Sequence, residues 1–299
     1  PTPSGYLHFG NAFNFLLTYL LVNFYDGVLH LRIDDLDGAR VDRASVEDIF
    51  IQLEWLGIDY NFGPSGPDDL YSRFSQQLRK DRYFYAIEVL QKAGHLFACE
   101  CSRSKIRNSS ASKIYPGTCK NKNLNFIKQN QTWRVIVPEK TFVFYKNLTN
   151  NNKKIDLTTG MGDFVVRRRD GLPAYQIASL MDDIEMRVNL IVRGSDLISS
   201  TGSQLFLAKC LKDSFFPAVH FVHHKLMKNE SGKKISKSSG GYSLKYLRKK
   251  YNSPTIVYQN SAKILDLPFD DIHTLQDLTH VFRTEMIRRK NLMVFNDQI

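Results

Sequence analysis

A chain of 299 residues, 42% hydrophobic and 24% charged, has the make-up of an ordinary globular protein, long enough for one large domain or two smaller ones. The net charge of +11, with basic clusters at Arg167-Arg168-Arg169, Lys245 to Lys250 and Arg288-Arg289-Lys290, favours a polyanionic partner and points to nucleic acid. Nothing reads as a secretory signal or a membrane span, since the most apolar stretch, Ala12 to Tyr25, is too short for a bilayer and carries Asn14, Thr18 and Asn23. Four cysteines without such a signal fit a reducing, cytoplasmic compartment, where paired cysteines are metal ligands before they are disulfides. The sequence starts at Pro1 without an initiator Met, so a few further residues are expected ahead of it.

In chain order, Asn11 to Tyr25 predicts a helix and Val28 to Ile33 a short strand ending in acids. Ala44 to Leu56 and Phe74 to Ala93 predict helices, the second stopped by Gly94. From Cys99 to about Asn152 the chain turns rich in Lys, Asn and Ser, with strand-like pieces at Trp133 to Val137 and Thr141 to Tyr145, and reads as an insertion. Strand Phe164 to Arg168, turn Asp170-Gly171, helix Ala174 to Asp182, strand Asn189 to Val192, helix Thr201 to Leu211 and strand Val219 to Val222 then alternate. That alternation predicts a parallel sheet with helical crossovers, and from Tyr242 the chain reads as helical and basic.

Chemistry concentrates in two segments. Pro1 to Asn11 (PTPSGYLHFGN) runs directly into the apolar helix. Gly5 and Gly10 permit close backbone approach, the helix start offers N–H groups to a phosphate, and His8 and Asn11 can donate to charge developing on an α-phosphate. Alone, the segment reads more simply as a Pro/Gly turn before a helix. In Asn229 to Gly241 (NESGKKISKSSGG), Lys234 and Lys237 stand three apart among serines, with glycines on both sides, as a cationic loop suited to a leaving pyrophosphate. Alone, it reads as an exposed basic loop.

Together and in this order, the two segments resemble the HIGH and KMSKS signatures of the class I aminoacyl-tRNA synthetases. The resemblance implies an ATP site formed by His8, Gly10, Asn11, Asp196, Ser236 and Lys237, with Mg2+ assisting, and catalysis by His8, Asn11, Lys234 and Lys237. Leu31 to Asp37, Gly162 to Ala178 and Ile191 to Leu197 resemble blocks of the glutamyl and glutaminyl enzymes. This implies L-glutamate as substrate, surrounded by Pro1, Thr2, Asp34, Tyr175 and Arg193, with the Arg193 fork on a substrate carboxylate. Without those blocks Arg193 reads as half of a structural ion pair. Two departures stand out: the family's usual Arg would lie two residues before Pro1, and Asp34 stands where glutamyl enzymes typically carry Glu.

The stretch after Gly241 is short for the anticodon-binding region of full glutamyl enzymes, and so resembles a compact branch, the glutamyl-Q tRNA(Asp) synthetases. That implies ATP-dependent activation of L-glutamate and its transfer to queuosine in the anticodon stem-loop of tRNA(Asp), by a monomer. The cysteines bear on this choice. Cys99 and Cys101, two apart on an extended segment, point to one side and can bite one ion with Cys119, Tyr115 or His95 standing as the fourth ligand. The CxC…YxxxC pattern resembles the zinc signature of the glutamyl-Q branch, which implies structural Zn2+ held by Cys99, Cys101, Tyr115 and Cys119. Cys210 sits on an apolar helix and reads as core.

The expected architecture is therefore an α/β fold, a doubly wound parallel (Rossmann-type) sheet split by a small zinc-bearing insertion, with a helical C-terminal appendage. Its expected divisions are 1–95, 96–155, 156–241 and 242–299. Three other functions stay open on the sequence: a truncated glutamyl- or glutaminyl-tRNA synthetase charging the tRNA 3′ end, a small-molecule nucleotidyltransferase, and a catalytically inactive paralogue that binds RNA.

Overall fold

The structure, a computed structural model, describes residues 1–109, 114–127, 129–226 and 243–291. Lys234, Ser236 and Lys237 lie outside them. The first elements are α1 (Phe9–Phe24), α2 (Arg43–Trp55), the single turn α3 (Pro67–Asp69), α4 (Lys80–Lys92), β1 (Leu96–Cys99) and α5 (Arg103–Ser109). There follow β2 (Thr132–Val135), β3 (Phe142–Lys146), β4 (Asn152–Asp156), the single turn α6 (Leu157–Gly160), β5 (Val165–Arg167) and α7 (Tyr175–Glu185). The last are β6 (Leu190–Gly194), α8 (Ile198–Cys210), β7 (His220–His224), α9 (Leu244–Lys250), α10 (Thr255–Ile264) and α11 (Leu275–Asn291). No described helix is long and apolar enough to cross a membrane.

The chain forms two compact units, 1–75 with 192–195 and 223–299, and 76–191 with 196–222. Residues 96–155 fall in the second unit together with the chain on either side of them.

In the first unit, α1 forms because Phe9, Ala12, Phe13, Leu16, Leu17, Leu20 and Leu21 recur at helical spacing and are all buried. Helices α10 and α11 pack on it, burying Val257, Leu278, Phe282 and Met286, so the C-terminal helices are part of this core rather than an appendage. The strand expected at Val28 to Ile33 shrinks to one parallel bridge, His30 with Phe62, flanked by Leu31 N–H on Phe62 O at 2.7 Å. The partner segment ends at Gly63 (φ +136°), which lies so close to Leu31 that a Cβ there would sit 2.5 Å from its carbonyl oxygen. The helix expected at Phe74 to Ala93 starts only at Lys80. Ser75 is extended, and its hydroxyl donates to the buried Asp35 carboxylate at 2.5 Å.

The described strands form two sheets, and neither is purely parallel. In the three-stranded one, ordered β1-β2-β5, both pairings are antiparallel. Phe164 to Arg168, expected in a parallel sheet, therefore contributes β5 to an antiparallel one. The four-stranded sheet is ordered β4-β3-β7-β6, with β3 parallel to β7 and antiparallel to β4. The loop after β3 fixes that reversal, because the Asn147 carboxamide oxygen accepts from Thr149 N, Thr149 Oγ1 and Asn151 N. The fold is α/β as expected, with a mixed sheet where a parallel one was predicted. Helix α7 is tied to the α4 region through Asp182, 1% exposed, which accepts from Arg79 Nε and Nη2 at 2.8 and 2.9 Å, Tyr83 Oη at 2.6 Å and Gln76 Nε2 at 2.8 Å.

Candidate active site

The HFGN segment is built as a reciprocal cap. His8 is the N-cap of α1: its Nδ1 accepts from Asn11 N at 3.3 Å, while Asn11 Oδ1 accepts from His8 N at 3.0 Å. Accepting at Nδ1 puts the proton of a neutral imidazole on Nε2. The cap thus uses the acceptor atoms of both side chains and not their donors, His8 Nε2–H and the Asn11 amide hydrogens. Donors are what a phosphate requires. Asp48 of α2, 4% exposed, accepts from Leu7 N at 3.4 Å and so holds the segment against the core.

The described residues flanking the lysine-rich segment are both held against the first turns of α1. Downstream, Ser243 forms an antiparallel bridge with His8, and Leu244 N donates to Leu7 O at 2.8 Å. Upstream, His224 Nε2 lies 3.2 Å from Asn14 Oδ1, and its ring meets Phe13 edge-on at 5.0 Å. Lys245 Nζ sits 3.9 Å from the Tyr6 ring centre. Asp48, Asn14 and His224 carried no signal in the sequence, since the contacts that bring them together here run to partners distant along the chain.

The acidic segment lies beside the first residues, with Asp34 N donating to Pro1 O at 2.9 Å and Asp42 N to Pro3 O at 3.4 Å. Thr2 is exposed, and its carbonyl accepts from Ser4 N at 2.9 Å. Arg32 Nε donates to Asp34 Oδ1 at 2.7 Å, so part of this carboxylate is already paired. Burial raises the Asp34 carboxyl, but the positive charges around it, Arg32 foremost and Arg193 among them, outweigh that and hold it below the ordinary aspartate range. Arg193 on β6 is 6% exposed. Burial, with Arg193 and His224 adding, pushes His223 down to about 4, leaving a neutral ring near neutral pH. In the second unit, Tyr175 opens α7 half-exposed and Asp196 is exposed just before α8.

The cysteine cluster lies wholly within the second unit. The Cys99, Cys101 and Cys119 sulfurs all lie within 4.8 Å of one another, with Cys101 and Cys119 at 3.6 Å. Tyr115 Oη is 3.3 Å from Cys99 Sγ and 4.0 Å from Cys101 Sγ, and it accepts from Cys119 N at 2.7 Å. Tetrahedral zinc, with bonds of about 2.3 Å to sulfur and about 2.1 Å to oxygen, needs sulfurs about 3.8 Å apart and sulfur–oxygen pairs at about 3.6 Å. The four side chains fit that shape. Arg134, 8% exposed, lays its guanidinium 4.0 Å from the centre of the Tyr115 ring. Burial pushes the Cys99 thiol up, but hydrogen bonds from Tyr115 and the Cys101 backbone, with Arg134 beside it, bring it down to about 7. Burial and the neighbouring thiols push Cys101 and Tyr115 up.

The capped HFGN turn, with the chain on both sides of the lysine-rich segment held against its helix, is the arrangement expected of a class I aminoacyl-tRNA synthetase. A family model described as tRNA synthetases class I (E and Q), catalytic domain, matches residues 1–296, and the chain belongs to that family. Membership implies ATP with Mg2+, glutamate and tRNA as the molecules it handles. The chain is 32% identical over 279 residues to a glutamyl-Q tRNA(Asp) synthetase of Burkholderia cenocepacia, covering 90% of this chain and 87% of that protein. It is 30% identical over 307 residues to one of Janthinobacterium sp., covering 97% and 95%. It is also 32% identical over 263 residues to glutamate–tRNA ligase 2 of Syntrophus aciditrophicus, covering 84% of this chain and 53% of that ligase, about half its length. Among solved structures, a glutamate-tRNA synthetase from Elizabethkingia anophelis shares the fold, with a TM-score of 0.73 at 20% identity over 99% of this chain and 70% of that one.

Proposed function

We propose that this chain activates L-glutamate with ATP and transfers it to queuosine in the anticodon stem-loop of tRNA(Asp), in the cytoplasm and as a monomer. Membership in the family supports the first step. The observation that carries the choice of branch is Tyr115 Oη standing 3.3 Å from Cys99 Sγ inside the three-cysteine cluster. Relatives named glutamyl-Q tRNA(Asp) synthetase at 30–32% identity support it further.

The glutamate α-carboxylate attacks the ATP α-phosphorus and pyrophosphate leaves, and a hydroxyl of the modified base then attacks the activated carbonyl, releasing AMP. No side chain acts as a covalent nucleophile. His8 and Asn11 donate to the α-phosphate, Gly10 lets it approach the helix start, and Lys234, Ser236 and Lys237 bind the departing pyrophosphate. Asp196 takes part in ATP binding. Arg193 and Tyr175 hold glutamate, Asp34 takes its ammonium on the edge that Arg32 leaves over, and Pro1 and Thr2 complete the pocket. The test is glutamylation of an isolated anticodon stem-loop bearing queuosine, read by mass analysis of the nucleoside. Guanosine in its place should give no product. Glutamate found only on the 3′-terminal adenosine of full-length tRNA would instead make this a truncated glutamyl enzyme.

Asp34→Asn is expected to raise the KM for glutamate strongly with little change for ATP, while Asp34→Glu keeps much more activity. Small and equal effects would reduce Asp34 to the partner of Arg32. Because its carboxyl is depressed, the Asp34–Arg32 pair contributes fully above the ordinary aspartate range of about 4. That contribution is lost only as the pH falls through the lower, folded-state value.

Cys99, Cys101, Tyr115 and Cys119 are proposed to hold one structural zinc, with no part in the reaction. Cys119→Ser should lower both zinc content and melting temperature, because metal binding and local folding are coupled. Protein purified without chelator and free of zinc would refute this site.

A further inference from the structure

The β3–β4 hairpin has one face covered and one face open. On the covered face α8 packs against Val143 and Ile155, so tightly that a Cβ on Gly202 would sit 3.0 Å from Ile155 Cγ2 and 3.3 Å from Val143 Cγ2. The open face carries the alternate residues, Phe142, Phe144 and Lys146 on β3 and Asn152, Lys154 and Asp156 on β4. Phe142 is 43% exposed and Phe144 is 56% exposed, unusual for two large aromatic side chains side by side on a strand. Lys154 lies opposite Phe144, with its Nζ 3.6 Å from the centre of the Phe142 ring, and Lys146 occupies the next position of the face. The acid of this face, Asp156, is turned to the N-terminus of α6, where it accepts from Thr159 N at 3.2 Å.

We propose that this face is a stacking platform for unpaired nucleotides of the RNA substrate. The proposal rests on the reading that the partner is RNA, and adds a contact surface on the second unit. Residues two apart on a strand are about 6.8 Å apart, twice the rise of a stacked base. Two rings so spaced therefore accept bases already splayed from one another and reject a duplex, whose bases stay stacked. The lysines supply the phosphate contacts that accompany stacking on such surfaces. An apolar protein partner would match the two rings but not the Lys154 and Lys146 ammonium groups beside them.

Fluorescence anisotropy of the full chain with a 5′-fluorescein oligoadenylate of about 12 nucleotides tests this. Phe142→Ala with Phe144→Ala is expected to weaken binding about tenfold or more. Phe144→Leu should weaken it nearly as much as Phe144→Ala, whereas Phe144→Tyr keeps it, because stacking needs a ring and not merely an apolar group. Affinity for a duplex RNA of the same length should not move. Glutamate-dependent ATP–pyrophosphate exchange should stay at wild-type rate in all variants, which shows that they are folded. Unchanged affinity in the double variant, or full binding by Phe144→Leu, would overturn the platform. A wild-type chain that binds through these rings yet glutamylates no queuosine stem-loop would refute the function proposed above and leave the platform standing.

Discussion

Replacing His8 by alanine is expected to slow glutamate-dependent ATP–pyrophosphate exchange by about 10²-fold or more, the effect of losing a donor aimed at developing charge. The same change removes the cap of α1 and should cost about 1 kcal/mol of stability. The two effects separate because they use different atoms of one ring: Nδ1 accepts from Asn11 N, and Nε2 carries the proton. His8→Ser supplies a hydroxyl oxygen that can cap the helix in the same way, but it has no donor reaching as far as Nε2. It should recover most of the melting temperature and almost none of the rate. His8→Ser with near-wild-type exchange would show that His8 serves the helix alone.

The cap explains why the segment was legible in the sequence. A cap, two glycines and a following apolar periodicity all leave marks on neighbouring residues, and α1 starts within two residues of its expected position. The helix at Ala44 and those at Ala174 and Thr201 were legible for the same reason, each carrying its own apolar period. What failed was sheet arrangement. Whether β5 joins a parallel or an antiparallel sheet depends on Trp133 and Arg134 across the pairing, distant in sequence. Strand β4 was missed because Asn152, Lys153 and Lys154 look like loop; Ile155 alone of its residues is buried, and the Asn147 turn fixes the hairpin.

In the candidate site, contacts between sequence neighbours were legible and those between distant residues were not. Asp34 and Arg32 are two positions apart and could be expected to meet, as they do at 2.7 Å. Nothing near Ser243 or His224 announces that both are held at the start of α1, over 200 positions away. The described residues on either side of the lysine-rich segment, His224 and Ser243, are thus both held on the first turns of α1. The pattern of Cys99, Cys101, Tyr115 and Cys119 was legible, whereas the Arg134 guanidinium over the Tyr115 ring was not.

The second large effect concerns stability. Asp182→Ala is expected to destabilise the second unit by about 3–5 kcal/mol, because it removes a carboxylate paired with the largely buried Arg79. Arg79 would be left as an uncompensated charge, and the Tyr83 hydroxyl and Gln76 amide would each lose an acceptor, at 2.6 and 2.8 Å. Burial already pushes the Tyr83 phenol far above its ordinary range, so it cannot ionise to adapt. Asp182→Ala combined with Arg79→Met should be more stable than Asp182→Ala alone, since the second change removes the stranded charge and fills its space with apolar atoms. Thermal and urea unfolding of the three variants against wild type measure the coupling. A loss below about 1 kcal/mol in Asp182→Ala, or a double variant no better than the single one, would mean that water reaches Arg79 and that apolar packing holds α7 to the α4 region.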